Sequence, residues 1–73
     1  MNPSPTPITV YLNGDPRTLP GGSGLAELVD AHTPSRAGVA VALDGEVVPR
    51  ADWATRRLAE GARVEILTAV QGG

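Results

Sequence analysis

The chain is short and poor in chemically reactive side chains. Its 73 residues allow one small domain, and 41% of them are apolar, ten being alanine. The sequence has no Cys, no Lys and one His (His32), which excludes a disulfide scaffold, a cysteine zinc site, a thiol nucleophile and a Schiff-base lysine. The formal net charge is -2, and Arg56-Arg57 is the only basic cluster, unlike the basic, aromatic-rich face of a nucleic-acid binder. We therefore expect neither an enzyme nor a nucleic-acid-binding protein.

Membrane and export signals are not visible in the sequence. No run approaches the ~18–20 apolar residues that a membrane-spanning helix needs. Met1 and Asn2 are followed by three prolines within residues 3–7 rather than by a charged and then an apolar segment. We expect a cytoplasmic protein that does not contact membranes, with a disordered Pro-rich extension over residues 1–7.

The first folded element predicted is a β-hairpin. Residues 8–12 alternate apolar and polar side chains, with Ile8, Val10 and Leu12 facing inward. Asn13-Gly14 is typical of a type I′ turn, whose two central residues both need positive φ. The return strand, residues 15–19, contains a proline, which lacks a backbone N–H and therefore favours a sheet edge.

A short helix is predicted next. We expect Ser23 to be its N-cap, so that Glu27 falls one position too late for a capping box. The helix ends at Thr33-Pro34. Apolar spacing at i, i+3, i+4 and i+7 places one stripe against the sheet, formed by Leu25, Leu28, Val29 and His32.

Three more strands are predicted in the second half of the chain. They cover residues 38–43, 46–48 and 63–70, and Asp44-Gly45 supplies a second hairpin turn between the first two. Trp53 lies in the polar connection that follows, where a lone Trp in a small core is more often packed than ligand-binding.

The order of these elements predicts an α+β fold with a mixed four- to five-stranded sheet packed on one main helix. If the last strand lies parallel to the first, the strands that carry Pro16 or end at Pro49 fall at the two edges, where proline is tolerated. This is the ubiquitin-like β-grasp arrangement. We assign residues 8–70 to the domain and residues 71–73 to a flexible Gly-Gly tail.

Side chains that could support catalysis or ligand binding are not brought together by this fold. Ser23 and His32 would stand at opposite ends of one helix, roughly 13 Å apart at ~1.5 Å per residue, which excludes a Ser-His-Asp triad with Asp30. The glycines of residues 21–24 precede a helix, as in phosphate-binding loops, but lack the lysine and spacing of a Walker motif. We expect no catalytic residue, no metal site and no bound cofactor.

The remaining candidate is the C-terminal carboxylate. Glycine has no Cβ, so a tail ending in Gly72-Gly73 fits a narrow slot, and residues 69–73 reach about 17 Å at ~3.3–3.6 Å per residue. The carboxylate is ionised at pH 7 and a poor electrophile, so a partner that binds ATP would have to activate it. The alternative is a frayed tail or a cloning remnant.

The sequence resembles the ThiS family of sulfur carriers over residues 8–73. The likeness is carried by Leu12-Asn13-Gly14, the run GVAVALDGEVVPR at residues 38–50, Trp53, and the ending VEILTAVQGG at residues 64–73. The proline-rich start departs from the family pattern without touching a functional position.

The resemblance implies a role in forming the thiazole ring of thiamin. A ThiF-like adenylyltransferase would use ATP to adenylate the carboxylate of Gly73. Sulfur derived from cysteine, supplied by a cysteine desulfurase or a rhodanese, would convert it to a thiocarboxylate for a ThiG-like thiazole synthase. Gln71 and Gly72 would then thread into the partner, and the free protein would be a monomer.

Strand alternation adds a hypothesis about docking. If Val64, Ile66 and Thr68 share one face of the strand, Leu67 and Ala69 share the other. On the outer face they would form a docking patch beside the tail. Three rival functions remain: a MoaD-like sulfur carrier for molybdopterin, a ubiquitin-like protein modifier and a non-catalytic binding domain.

Overall fold

Five strands and one α-helix make up the described part of the protein. The structure is a computed structural model and describes residues 6–68. The elements in chain order are β1 (Ile8–Leu12), β2 (Asp15–Leu19), α1 (Leu25–His32), β3 (Val39–Leu43), β4 (Glu46–Val47), a 3-10 helix (Arg50–Thr55) and β5 (Arg63–Thr68).

The strands form one mixed sheet in the order β2-β1-β5-β3-β4. The last strand, β5, lies in the centre, parallel to β1 and antiparallel to β3. Pro16 lies on the edge strand β2, and Pro49 follows the opposite edge strand β4, so neither proline interrupts a central ladder. The predicted β-grasp arrangement is confirmed.

Both hairpin turns have the predicted backbone conformation. Asn13 and Asp44 have φ values of 50° and 49°, and the glycines that follow, Gly14 and Gly45, have φ values of 89° and 86°. Asn, Asp and Gly are the residues that tolerate this left-handed region, as a type I′ turn requires at both central positions.

The core lies between the sheet and α1 and is completed by the segment after β4. Trp53 is 1% exposed and donates a hydrogen bond from Nε1 to the Val48 carbonyl oxygen at 2.9 Å, which confirms its predicted packing role. Residues 50–55 form a 3-10 helix within the segment that the sequence predicts as a polar connection. The buried residues are Val10, Leu12, Leu25, Leu28, Val29, Val41, Leu43, Val48, Trp53, Leu58, Ala62, Val64 and Ile66, with Ile8 partly buried beside them.

The predicted start of the helix was wrong by one residue. Gly24, not Ser23, is the N-cap, so Glu27 stands at the third helical position and its Oε1 accepts a hydrogen bond from the Gly24 N–H at 2.7 Å. The Ser23 hydroxyl instead donates to the Pro20 carbonyl oxygen. A β-bridge between Gly24 and Arg57 holds Gly24 extended, and this pairing across 33 residues is not visible in the local sequence.

The apolar stripe of α1 is shorter than predicted. Leu25, Leu28 and Val29 are buried, whereas His32 is exposed in the last turn. The helix ends there, with the Thr33 N–H donating to the Val29 carbonyl oxygen at 3.0 Å. A polar imidazole at a helix end keeps its hydration by remaining in solvent.

An ion pair closes the loop after α1. The Arg36 guanidinium donates two hydrogen bonds to the Asp30 carboxylate, both at 2.8 Å, and its Cζ lies 5.7 Å from the centroid of the Trp53 ring. The hydrogen bonds from Arg36 hold the pKa of Asp30 below its usual value. The pair therefore links the end of the helix to the core tryptophan.

Replacing Asp30 with asparagine should produce a pH-dependent loss of stability. A carboxylate whose pKa is lowered on folding stabilises the protein above its unfolded pKa of about 3.9, and this contribution disappears as pH falls through the lowered value. The loss should be small because both side chains are partly exposed, 38% and 54%. Urea unfolding should separate Asp30→Asn from the parent at pH 7 and not at pH 2. A difference that stays constant between these pH values would contradict the assignment.

Candidate functional site

The tail follows directly from the central strand of the sheet. β5 pairs with β3 from Val64 to Thr68, and it pairs with β1 at Arg63 and Val64. Thr68 is the last residue that the structure describes. The predicted reactive residue, the threading residues and one docking residue (Gly73, Gln71, Gly72 and Ala69) lie outside the described residues. The structure describes the strand that precedes them in the sequence, β5.

Leu67 is exposed on the outer face of the sheet, as predicted. Its side chain is 68% exposed, whereas Val64 and Ile66 are buried on the helix side. This alternation follows from the two-residue period of a strand. Leu67 is thus one residue from the end of the described chain and open to a partner.

Three further apolar residues extend this surface across β3 and β4. Ala40 pairs with Leu67, and Ala42 pairs with Val47, which is 77% exposed. We call Leu67, Ala40, Ala42 and Val47 the outer patch. The predicted docking patch did not include Ala40, Ala42 or Val47. The alternation of alanine with larger residues in β3 nevertheless indicates which face of that strand points away from the core.

An acidic side chain borders the outer patch. Glu65 pairs with Ala42 and is exposed, whereas Glu46 pairs with the buried Leu43 and therefore lies on the opposite face of the sheet from Val47. The outer patch therefore combines small and branched apolar side chains with a partly negative border.

Metal-ligating side chains are not clustered within residues 6–68. These residues hold no group of three or more His, Asp or Glu side chains that could bind a metal ion. At the start of α1, the Gly24 N–H donates to the Glu27 carboxylate and the Leu25 N–H donates to the Arg56 carbonyl oxygen at 2.9 Å. An anion that used these two amides would have to displace both acceptors.

In the part of the chain that the structure describes, no helix combines the length and the apolar composition needed to cross a bilayer.

Comparison with known proteins identifies the family. The family model described as "ThiS family" matches residues 10–73. Among solved structures, the thiamine biosynthesis protein (ThiS) from Geobacter metallireducens is similar, with a TM-score of 0.72 and 32% sequence identity, covering 90% of this chain and 100% of that one. No significant match was found among curated proteins. With a family match that runs from β1 through the last glycine and a fold shared at this level of identity, the chain belongs to the ThiS family.

Proposed function

We propose that this protein is a sulfur carrier of thiamin biosynthesis and that its working group is the carboxylate of Gly73. The observation that carries the proposal is the family match, which includes Gly72 and Gly73 as well as the folded domain. The similar Geobacter protein is named as a thiamine biosynthesis protein, which supports the same pathway. In this role the protein is a co-substrate of partner enzymes rather than an enzyme.

The chemistry needs activation of an unreactive carboxylate. A ThiF-like partner binds ATP, and the Gly73 carboxylate attacks the α-phosphorus and expels pyrophosphate to give an acyl-adenylate. The terminal sulfur of a persulfide, supplied by a cysteine desulfurase or a rhodanese, then displaces AMP and gives an acyl disulfide. A thiol cleaves this acyl disulfide, forms a disulfide with the donor's sulfur and leaves the thiocarboxylate on Gly73. Its sulfur is softer and more nucleophilic than oxygen and is passed to a ThiG-like thiazole synthase. The ATP belongs to the activating partner.

The geometry of β5 supports different roles for the domain, which would bind the partner's surface, and the tail, which would enter the partner's active site. The outer patch lies next to the last described residue of β5, so a partner that covers Leu67 also meets the start of the tail. Residues 69–73 reach about 17 Å when extended, enough to enter a partner's active site while the domain stays outside. We propose that Leu67 and Ala69 dock the ThiF-like partner, with a basic side chain of the partner near Glu65.

Replacing Leu67 with aspartate should weaken this docking. A buried charge without a partner at the centre of an interface costs at least the ~2 kcal/mol of a hot spot, which corresponds to about a 30-fold rise in KM for adenylation. The thermal unfolding midpoint should change little because Leu67 is exposed. Steady-state adenylation kinetics give KM and kcat separately.

Thr18→Asp is the matched control for Leu67→Asp. Thr18 is exposed on β2, two strands from Leu67, so this variant adds the same charge outside the outer patch. Its KM should remain within about twofold of the parent value, since a charge beyond a Debye length of about 10 Å is largely screened at 0.1 M salt. Equal KM values for Leu67→Asp and the parent would contradict the proposed docking site.

A complementation experiment tests the pathway. A bacterial strain that lacks its own thiamin sulfur carrier should grow without thiamin when it expresses this protein together with the cognate ThiF-like and ThiG-like enzymes. A MoaD-like carrier would instead restore molybdoenzyme activity, and a protein modifier would give higher-mass conjugates. Rescue that persists after deletion of Gly73 would favour the plain binding domain and contradict the proposal.

A further inference from the structure

The side chain of Asn13 takes over the place of a strand residue next to β5. Its Oδ1 accepts a hydrogen bond from the Ile66 N–H at 2.9 Å, and its Nδ2 donates to the Ile66 carbonyl oxygen at 3.2 Å. The two residues are 53 positions apart in the chain. The carboxamide thus pairs with both backbone groups of Ile66, as the backbone of a neighbouring strand would.

β5 pairs with its two neighbouring strands over different numbers of residues. On the β3 side, pairing continues to Thr68 opposite Val39. On the β1 side, the ladder ends with Leu12 opposite Val64. Within residues 6–68, the Asn13 side chain makes the last hydrogen-bonding contact with β5 on that side.

The turn alone does not explain why this residue is asparagine. At φ 50°, Asn, Asp and Gly are all tolerated. Among these three, only Asn carries both an acceptor for the Ile66 N–H and a donor for the Ile66 carbonyl. An aspartate would place a negative charge against that carbonyl oxygen, and a glycine would leave both backbone groups without this partner.

The second hairpin provides a comparison within the same molecule. Asp44 occupies the equivalent turn position at φ 49°, and its Oδ1 accepts a hydrogen bond from the Arg63 N–H at 2.9 Å. This contact lies at the opposite end of β5 and needs only an acceptor, which a carboxylate supplies. Each turn residue therefore matches the backbone groups of β5 that it meets.

We propose that Asn13 is a positioning residue: its carboxamide fixes the end of β5 on the β1 side and thereby sets the direction in which the C-terminal tail leaves the sheet. The importance of that direction for activation rests on the function proposed above. Without the carboxamide, the end of β5 is held by β3 alone and can rotate about that ladder. A smaller fraction of docked molecules then has the tail aligned with the partner's active site.

The test compares Asn13→Gly and Asn13→Asp with Asp44→Gly in the full chain. All three keep a residue that tolerates positive φ, and Asp44→Gly removes a turn contact at the end of β5 remote from the tail. Adenylation by the cognate activating enzyme is measured as kcat and KM, thermal unfolding reports stability, and 15N order parameters report motion of Leu67 and Thr68.

Asn13→Gly should lower kcat about five- to tenfold, the factor expected for losing the net stabilisation of about one hydrogen bond. KM should stay unchanged because the outer patch is intact, and Asn13→Asp should also lower kcat. Asp44→Gly should lower the thermal unfolding midpoint by about as much as Asn13→Gly does. Its kcat should nevertheless stay within about twofold of the parent value. The order parameters of Leu67 and Thr68 should fall in Asn13→Gly and not in Asp44→Gly.

Two results would overturn the proposal. One is an unchanged kcat in Asn13→Gly, and the other is an equal loss of kcat in Asn13→Gly and Asp44→Gly, which would assign the effect to stability. If the parent protein is not adenylated at all, the proposed function fails, and the order parameters still decide on Asn13. Unchanged order parameters at Leu67 and Thr68 in Asn13→Gly would then refute the positioning role.

Discussion

Trp53→Ala should lose most of its folding free energy. Trp53 is the largest of the fully buried side chains, and the sequence has no phenylalanine to share its role. Truncating a buried Trp or Phe costs about 3–5 kcal/mol. The free energy of unfolding of a domain of this length is roughly 4–11 kcal/mol, at ~0.05–0.15 kcal/mol per residue. A core of only 13 buried residues within residues 6–68 places this protein toward the lower end, so an unfolded fraction should be visible at 25 °C.

The measurement is urea unfolding followed by far-UV circular dichroism, because the variant lacks the fluorescent side chain. Trp53→Phe is the control, since it keeps an aromatic ring but removes the Nε1 donor to the Val48 carbonyl oxygen. That variant should stay folded with a loss of about 1–3 kcal/mol for the unpaired buried carbonyl. A Trp53→Ala protein within about 1 kcal/mol of the parent would show that the core does not depend on this residue.

Gly72→Val should abolish activation while leaving the fold intact. In the proposed function, Gly72 passes through a narrow slot of the partner, and a β-branched side chain both widens the tail and restricts its backbone. A misplacement of about 1 Å at a reacting carboxylate costs on the order of 100-fold in rate. Adenylate formation, followed as pyrophosphate release, should therefore fall by about that factor or more.

Two observations separate this effect from damage elsewhere. In the proposed function Gly72 belongs to the threading tail rather than to the core, so the unfolding midpoint of Gly72→Val should equal that of the parent. Gln71→Ala, which shortens a side chain at the neighbouring position, should retain more activity than Gly72→Val. Normal pyrophosphate release by Gly72→Val would refute threading of the tail.

The features predicted correctly depend on local rules. The Asn13-Gly14 and Asp44-Gly45 turns require positive φ, which few residue pairs accept, so their positions follow from the sequence. The edge positions of β2 and β4 follow from Pro16 and Pro49. The exposure of Leu67 follows from strand alternation once Val64 and Ile66 are assigned to the core.

The features missed depend on contacts between distant residues. Gly24 replaced Ser23 as the N-cap because Arg57 pairs with it across the chain. The pairing of Asn13 with Ile66 likewise joins residues 53 positions apart. The spacing of apolar residues shows which face of an element is buried, but it does not show which backbone groups meet.

Only Leu67 of the outer patch is predicted from the sequence, because the other members depend on pairing between distant strands. The alternation of β5 alone places Leu67 on the outer face. Ala40 and Val47 lie beside it only because of the register in which β3 pairs with β5 and β4. A docking surface that crosses three strands requires the sheet order, and that order follows from tertiary packing.

Intact-mass measurement is the most direct test of the proposed function. The full chain is incubated with ATP, a sulfur donor and the cognate activating enzyme. Its mass should rise by the difference between a sulfur and an oxygen atom, and fragmentation should place the change at Gly73. Omitting ATP should prevent the change. A chain that becomes linked to other proteins, or that keeps its mass under conditions in which a known ThiS protein is converted, would contradict the sulfur-carrier function.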